Sequence, residues 1–330
     1  MKLQKILSLL LVLIMTSTAL IGCKGETKEI YIPTQVTYTC GDTHRVIDVT
    51  LGKNGLAEKE VGQANGKTHF TTEYTYNNKG LAIQSVETDL NNEKTTIDFV
   101  YDKNSNCIQT IVTDFEGDKS INDYVYDQNG NYTQITGDGF KWEYFYDSNN
   151  NILKEVWTED SNNTGTTEYT YDQAGNLIKT TYTSPDSTSV TTYTYDSNGK
   201  KTQKYEKTTY QLSSPSGESY TYLIMESTSN YTYDQAGRLS QVVNIQTSTS
   251  FFQSSGTTET AETTYNITYD AAGNVSKLTC APSDTDDMET YTFAYTKTSI
   301  PSKSKANTDA LIESLYQNVK WKFITITPVQ

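Results

Sequence analysis

Along most of the chain, large apolar or aromatic residues alternate with small polar ones at a period of two. The alternation breaks at regular intervals into clusters of Asp, Asn, Gly and Ser. A period of two puts alternate side chains on opposite faces of a pleated strand, and the clusters between strands are turn chemistry. One phrase recurs at the breaks: "YVYDQNGNYTQ" at 124, "EYTYDQAGNLIKTTY" at 168, "YTYDSNGKKTQ" at 193, "YTYDQAGRLSQ" at 231 and "ITYDAAGNVSK" at 267. Its second Tyr, or a stand-in, falls at Leu51, Tyr76, Tyr101, Tyr126, Tyr146, Tyr171, Tyr195, Tyr233 and Tyr269, and a degenerate copy begins at Tyr291. The successive gaps are 25, 25, 25, 20, 25, 24, 38 and 36 residues, so about ten units fill nearly the whole chain.

Each unit reads as a β-hairpin. Tyr169-Thr170-Tyr171 suits a strand with both rings on one face, and Asp172-Gln173-Ala174-Gly175 is a four-residue turn. The Asp side chain can accept the N–H two residues on, and the Gly supplies the left-handed conformation that a turn with a bulge requires. These roles are expected of Asp102, Asp127, Asp147, Asp172, Asp196, Asp234 and Asp270, and of Gly80, Gly130, Gly175, Gly199, Gly237 and Gly273. Asn104-Ser105 and Asn149-Asn150 take the place of the usual ending in two copies. A second, variable set of turns separates the hairpins, including "QANGK" at 63, "DLNNEK" at 89, "EGDK" at 116 and "PSDTDD" at 282. Arms of about 8 residues would span roughly 27 Å. The expectation is therefore an all-β protein, a long antiparallel meander of about twenty strands in a curled or spiralling sheet.

The repeat resembles the YD repeats of bacterial Rhs proteins and the related teneurins, whose unit reads roughly Tyr-x-Tyr-Asp-x-x-Gly-Arg/Asn-Leu. The resemblance runs from about Ile47 to Tyr295. It implies a strip of β-hairpins that spirals into a shell, often around a toxin domain. Arg238 is the single Arg at the Gly-Arg-Leu position, the array is short for a closed shell, and no toxin-like segment follows it. The strip carries over from the resemblance; encapsulation does not.

The two long gaps read as hairpins extended past the variable edge. They run through 204–234 and 242–270, with tips around Ser213–Gly217 and Gln253–Gly256. Phe251 and Phe252 stand beside the second tip, either folded back onto Tyr222 and Leu223 or projecting as a lip. After Pro301 the pattern changes. Asn307-Thr308-Asp309 reads as a helix N-cap before Leu311, Ile312, Leu315 and Tyr316, and Trp321–Thr325 reads as a strand. Residues 299–330 would then form a helix–strand cap on a repeat domain spanning 41–298.

The first residues indicate the compartment. Lys2 and Lys5, the apolar Ile6–Ile14 and the closing Leu20-Ile21-Gly22-Cys23 follow the order of a secretory signal. The ending resembles a lipoprotein lipobox. Residues 1–22 would be removed, Cys23 would carry the acyl chains, and 23–40 would be a lipidated N-terminus with a short linker. Partner and place follow: a membrane reached through the lipid anchor, on the bacterial cell envelope facing outside the cytoplasm. The charge of −14, from 26 basic and 40 acidic residues, gives no footprint for nucleic acid and would hold the body off an anionic surface.

Chemistry is sparse. Cys40, Cys107 and Cys280 are odd in number, and Cys107 sits where other units carry Leu, Ile, Tyr or Val, so it reads as core. The two histidines, His44 and His69, stand in no catalytic motif. "DQNGN" at 127 and "DSNNN" at 147 resemble pieces of calcium loops, but the Asp already serves the turn and no bidentate Glu follows. No cofactor is implied beyond that calcium alternative, and no metal site. The reading is a non-enzymatic binding or structural surface protein for a glycan or an envelope protein, with Tyr220, Tyr222, Tyr231, Tyr233, Phe251 and Phe252 as the binding face. The alternatives are an envelope glycan hydrolase using paired carboxylates and a passive spacer.

Overall fold

The computed structural model describes residues 27–159, 163–213, 219–251, 256–283 and 288–301. Every regular element among them is a strand. In chain order these are β1 (Thr27–Cys40), β2 (Thr43–Leu51), β3 (Ala57–Ala64), β4 (Lys67–Tyr76), β5 (Ala82–Asp89), β6 (Lys94–Tyr101), β7 (Cys107–Thr113), β8 (Lys119–Tyr126), β9 (Tyr132–Gly137) and β10 (Phe140–Tyr146). There follow β11 (Ile152–Glu159), β12 (Asn163–Tyr171), β13 (Leu177–Thr183), β14 (Ser187–Tyr195), β15 (Lys201–Ser213), β16 (Ser219–Tyr233), β17 (Leu239–Ser250), β18 (Thr257–Tyr269), β19 (Val275–Pro282) and β20 (Glu289–Pro301).

The strands group into two compact units. One holds the chain through Tyr132, with Tyr269–Leu278 and the segment from Glu289; the other holds Thr133–Thr268 and Thr279–Met288. Within the first, β1 to β8 pair antiparallel in sequence order, and β20 lies on the free side of β1. Within the second, β9 to β18 do the same. This is a meander built by local turns, and the reason lies in the corners.

At Asp102 the turn is fully hydrogen-bonded. One carboxylate oxygen accepts the N–H groups of Asn104 and Asn106, both at 2.8 Å, and the other accepts the Asn106 amide at 3.1 Å. The same pattern recurs at Asp127, Asp147 and Asp172. At Asp234 the Arg238 guanidinium replaces the Asn amide. The fourth position is left-handed: Gly130 at φ 87° and Gly175 at φ 84°, with Ser105 at 75° and Asn150 at 65° where glycine is missing. The strand after each corner opens on a bulge opposite the second Tyr, as between Val100 and Tyr101 and between Thr170 and Tyr171. A bulge bends the returning strand and fixes its register. Two of the variable turns, at Asp89 and Asp114, prove to be the same corner without the tyrosines.

The core is thin and mixed. In the first unit Ile32 and Leu56 are fully buried, with Ile30, Leu51 and Tyr76 packed on them. Polar side chains are buried beside such residues and pair with one another. Asn122 donates to Thr110 at 3.3 Å; in the second unit Asn244 donates to the hydroxyls of Ser227 and Ser229 at 2.8 and 2.9 Å. A chain that is 35% hydrophobic fills its interior partly with satisfied polar groups.

The N-terminal linker expectation is corrected. Residues 27–40, placed in a linker, form β1, which pairs with β20 from Thr27↔Pro301 to Thr39↔Thr290. Ile30, Ile32, Val36 and Tyr38 alternate with polar residues, so the strand pattern was already present in the sequence, and β1 covers one side of β20. Cys23, the leader, and the helix and strand expected at 307–325 lie outside the described residues.

Candidate functional site

The two tyrosines of each phrase have different tasks. The second reaches back with its hydroxyl to the carbonyl that opens the returning strand of the preceding corner. In the first unit Tyr76 donates to Ala57 at 2.7 Å, Tyr101 to Ala82 at 2.7 Å and Tyr126 to Cys107 at 2.8 Å. In the second, Tyr171 donates to Ile152 at 2.9 Å, Tyr195 to Leu177 at 2.7 Å and Tyr233 to Lys201 at 2.8 Å. These hydroxyls meet carbonyls beside the bulges that open the returning strands, and burial raises the tyrosine pKa above its ordinary value at Tyr76, Tyr126 and Tyr171. Each hairpin is thus pinned to the one before it.

The first tyrosine meets a side chain fourteen residues earlier, on the strand alongside. Tyr124 pairs with Thr110 at 3.1 Å, and Tyr74 donates to Glu60 at 2.8 Å. Glu60 is the most unusual group of the first unit. It is 2% exposed, and burial, then the nearby Glu87, push its pKa up to about 7 against the relief of the Tyr74 hydrogen bond. The register aligns Glu60, Thr72 and Glu87 in one row across β3, β4 and β5. The second unit repeats the pairing with Glu155 and Tyr169, where burial raises the Glu155 pKa against the Tyr169 hydrogen bond. A carboxyl with raised pKa invites an acid–base reading. At 2% exposure, with the Tyr74 hydroxyl on its carboxyl, Glu60 is shielded from solvent in this structure.

The expected binding residues divide. Tyr233 is committed to Lys201 through its hydroxyl, with the Lys200 ammonium 5.2 Å from its ring centre. The Tyr231 and Tyr193 rings flank the half-buried Lys201 ammonium at 5.6 and 4.9 Å. Tyr222 lies on a bulge against Tyr210, ring centres 6.1 Å apart. Tyr220 and Phe251 are 54% and 45% exposed, and Leu212, opposite Tyr220 in the register, is exposed with them. The Phe251 N–H donates to the Tyr222 carbonyl at 2.9 Å, which docks the start of the β17–β18 tip beside β16. Leu212, Tyr220 and Phe251 are thus exposed together near the hairpin tips, while Tyr231 and Tyr233 make contacts within the sheet. Phe252 lies outside the described residues.

Beyond these tips β18 offers backbone. The Glu262 N–H and C=O both bond outward to Ser283, at 3.1 and 2.8 Å. Alternation along an antiparallel strand turns the outward groups of Thr260 and Thr258 to the same side as those of Glu262.

Comparison with known proteins follows the same repeat. Residues 27–164 match the teneurin YD-shell family and residues 146–189 match the RHS repeat family. This is a YD-repeat, Rhs/teneurin-like protein. No curated protein matches it. Among solved structures, the crystal structure of TcdB2-TccC3-Cdc42 is similar over 74% of this chain at 12% identity and a TM-score of 0.29, and this chain spans 18% of that one. Porin-like proteins from Bacteroides uniformis and Bacteroides vulgatus are similar over 80% of this chain and 98% of theirs, at 9% and 11% identity and TM-scores of 0.31. At such scores neither likeness supports a functional conclusion.

The remaining chemistry of the YD-repeat protein fits a frame. His44 and His69 are exposed, at the starts of β2 and β4. Cys40, Cys107 and Cys280 form no disulfide among the described residues, and burial pushes Cys107 up to about 11, which leaves this half-buried thiol protonated at neutral pH. Calcium has little to hold at Asp127 or Asp147, whose carboxylate oxygens are occupied by turn N–H groups and the Asn amide. Among the described residues the acids close enough to share an ion are Asp114, Glu116 and Asp118, with ligand atoms within 4.8 Å. Asp114 there already accepts two backbone N–H groups.

Sequence reasoning missed one regular feature. On the face opposite the tyrosines, Gln35 donates to Asp48, Gln84 to Asp98 and Gln109 to Asp123, at 2.7–2.8 Å. The second unit repeats this with Gln203–Asn230 and Gln241–Asn266, at 3.0 and 2.9 Å. The recurring Gln seven residues after the corner Asp, as in Asp102 and Gln109, was the available signal.

Proposed function

We propose that this YD-repeat protein is a non-enzymatic protein of the bacterial cell envelope, held to a membrane by acyl chains on Cys23. Its long hairpins β15 to β18 present a binding lip for an envelope glycan or protein. One observation carries the reading: of the six candidate aromatics, among the described residues, Tyr220 and Phe251 stay open to solvent, and unlike the equally exposed Phe115 and Phe145 they stand at the tips of hairpins longer than their neighbours. Exposed aromatic groups on projecting elements are where recognition concentrates, and rings stack well on sugars and on apolar side chains.

The experiment is to screen the full-length protein against an array of envelope glycans and peptides, beside Tyr220→Ala with Phe251→Ala. The proposal expects a binding class that the double variant loses. Equal binding by both proteins would remove the lip from the account.

The hydrolase alternative rests on Glu60 and Glu87. It requires turnover of an envelope glycan that Glu60→Gln abolishes.

A further inference from the structure

We infer that the signature-corner edge of the first unit lies against the membrane, with Lys53, Lys79 and Lys103 on anionic lipid headgroups. The inference rests on the Cys23 anchor proposed above. β1 begins at Thr27, four residues after Cys23, so the tether reaches at most about 14 Å. Thr27 pairs with Pro301, which sets the start of β1 and the end of β20 side by side. The antiparallel order then fixes which turns share that edge: Gly52–Leu56, Asn77–Leu81, Asp102–Asn106, Asp127–Asn131 and Asp270–Asn274. A Cβ on Gly55 would meet Ser299, so the first corner lies directly over the end of β20. The variable turns at Asn65, Asp89 and Asp114 lie at the opposite edge, a strand length of roughly 27 Å away and beyond the tether's reach.

Both edges carry exposed lysines. The first three corners each carry one lysine at the turn tip, Lys53, Lys79 and Lys103. All three are exposed and none forms an ion pair among the described residues. Neighbouring corners are two strands apart, so the ammonium groups follow one another at about 10 Å. The acids of this edge are Asp102, Asp127 and Asp270, all drawn into their own turns, with Glu58 beside the first corner and Glu29 paired with Lys297 at 2.8 Å. Tyr31, partly exposed on β1 and opposite Lys297, adds an aromatic of the kind that settles at a membrane interface. The far edge carries Arg45, Lys67, Lys94 and Lys119, also exposed, beside Asp89, Glu93, Asp114, Glu116 and Asp118. The tether, and not a difference in the number of cations, selects which lysines the membrane meets. Each lysine near an anionic surface adds attraction that salt screens.

The test uses native lysines as reporters. The full-length protein, isolated from membranes, is placed in phosphatidylcholine vesicles with and without phosphatidylglycerol, and in detergent. Its lysines are acetylated with a water-soluble reagent and read by mass spectrometry, together with the mass of the Cys23 peptide. The expected result is an acylated Cys23 and several-fold protection of Lys53, Lys79 and Lys103 on phosphatidylglycerol vesicles, relieved by salt, with Lys67, Lys94 and Lys119 unchanged. Equal labelling of both edges on an acylated protein overturns the orientation and leaves the anchor standing. Equal protection on phosphatidylcholine alone overturns the headgroup contact. A Cys23 without acyl mass overturns the anchor and this inference with it.

Discussion

The hydroxyl of Tyr126 donates at 2.8 Å to the backbone carbonyl of Cys107, nineteen residues earlier and one hairpin back. The carbonyl belongs to the first residue of β7, next to the bulge at Ile108. Tyr126→Phe removes the donor and keeps the ring, so a half-buried carbonyl loses this hydrogen bond. Its expected cost is about 1–2 kcal/mol in urea unfolding. Tyr220→Phe, at an exposed ring, should leave the midpoint where it is.

Ser105 holds φ 75° at a position where seven of the other signature corners, from Gly55 to Gly273, carry a left-handed Gly. An L side chain pays roughly 1–2 kcal/mol for that conformation, and glycine returns part of the gain through its freer unfolded chain. Ser105→Gly should therefore stabilise by about 0.5–1 kcal/mol, and Asn150→Gly by less, because Asn tolerates φ near 65° better. Thermal midpoints of the two variants, measured side by side, check the order.

Glu60 makes stability fall as pH rises. Its pKa is pushed up from 4.5 to about 7 in the folded state, so the folded protein holds its proton longer than the unfolded chain does. The contribution is complete below about pH 4 and lost progressively until about pH 7, some 3 kcal/mol in all. Asp127 and Asp270 run the other way. Hydrogen bonds in their turns hold them below the usual carboxylate range despite partial desolvation, so their contribution is present above the unfolded pKa and lost as pH falls through the folded one. Glu60→Gln isolates the first effect. Relative to the parent, the variant should gain stability steadily between pH 4.5 and 7 and show a constant difference above that. A difference independent of pH would mean that Glu60 does not titrate in that range.

Much of this architecture could be read in advance, because its determinants are local. An Asp with a Gly three residues on, between alternating strands, is a complete instruction for a hairpin, and repeating it gives neighbours in sequence order. Tyr-x-Tyr also showed that both rings share a face. What could not be read were relations set by register. Nothing local in the sequence connects Glu60 with Tyr74 and Glu87, or says that Tyr233 would spend its hydroxyl on Lys201 while Tyr220, eleven residues upstream of Tyr231, stayed open. β1 lacks the signature corner, although Ile30, Ile32, Val36 and Tyr38 alternate as strand residues do. Which of six aromatic candidates were structural depended on bulges, and a bulge moves a side chain from one face to the other with little trace in composition.

The central claim separates frame from lip, and one paired measurement tests it directly. Tyr233→Phe and the double variant Tyr220→Ala with Phe251→Ala are each assayed for unfolding midpoint and for binding to the glycan or peptide that the array identifies. The account predicts that Tyr233→Phe lowers the midpoint and binds like the parent, while the lip variant keeps the midpoint and loses the ligand. Loss of binding in Tyr233→Phe at an unchanged midpoint, with the lip variant still binding, would contradict it.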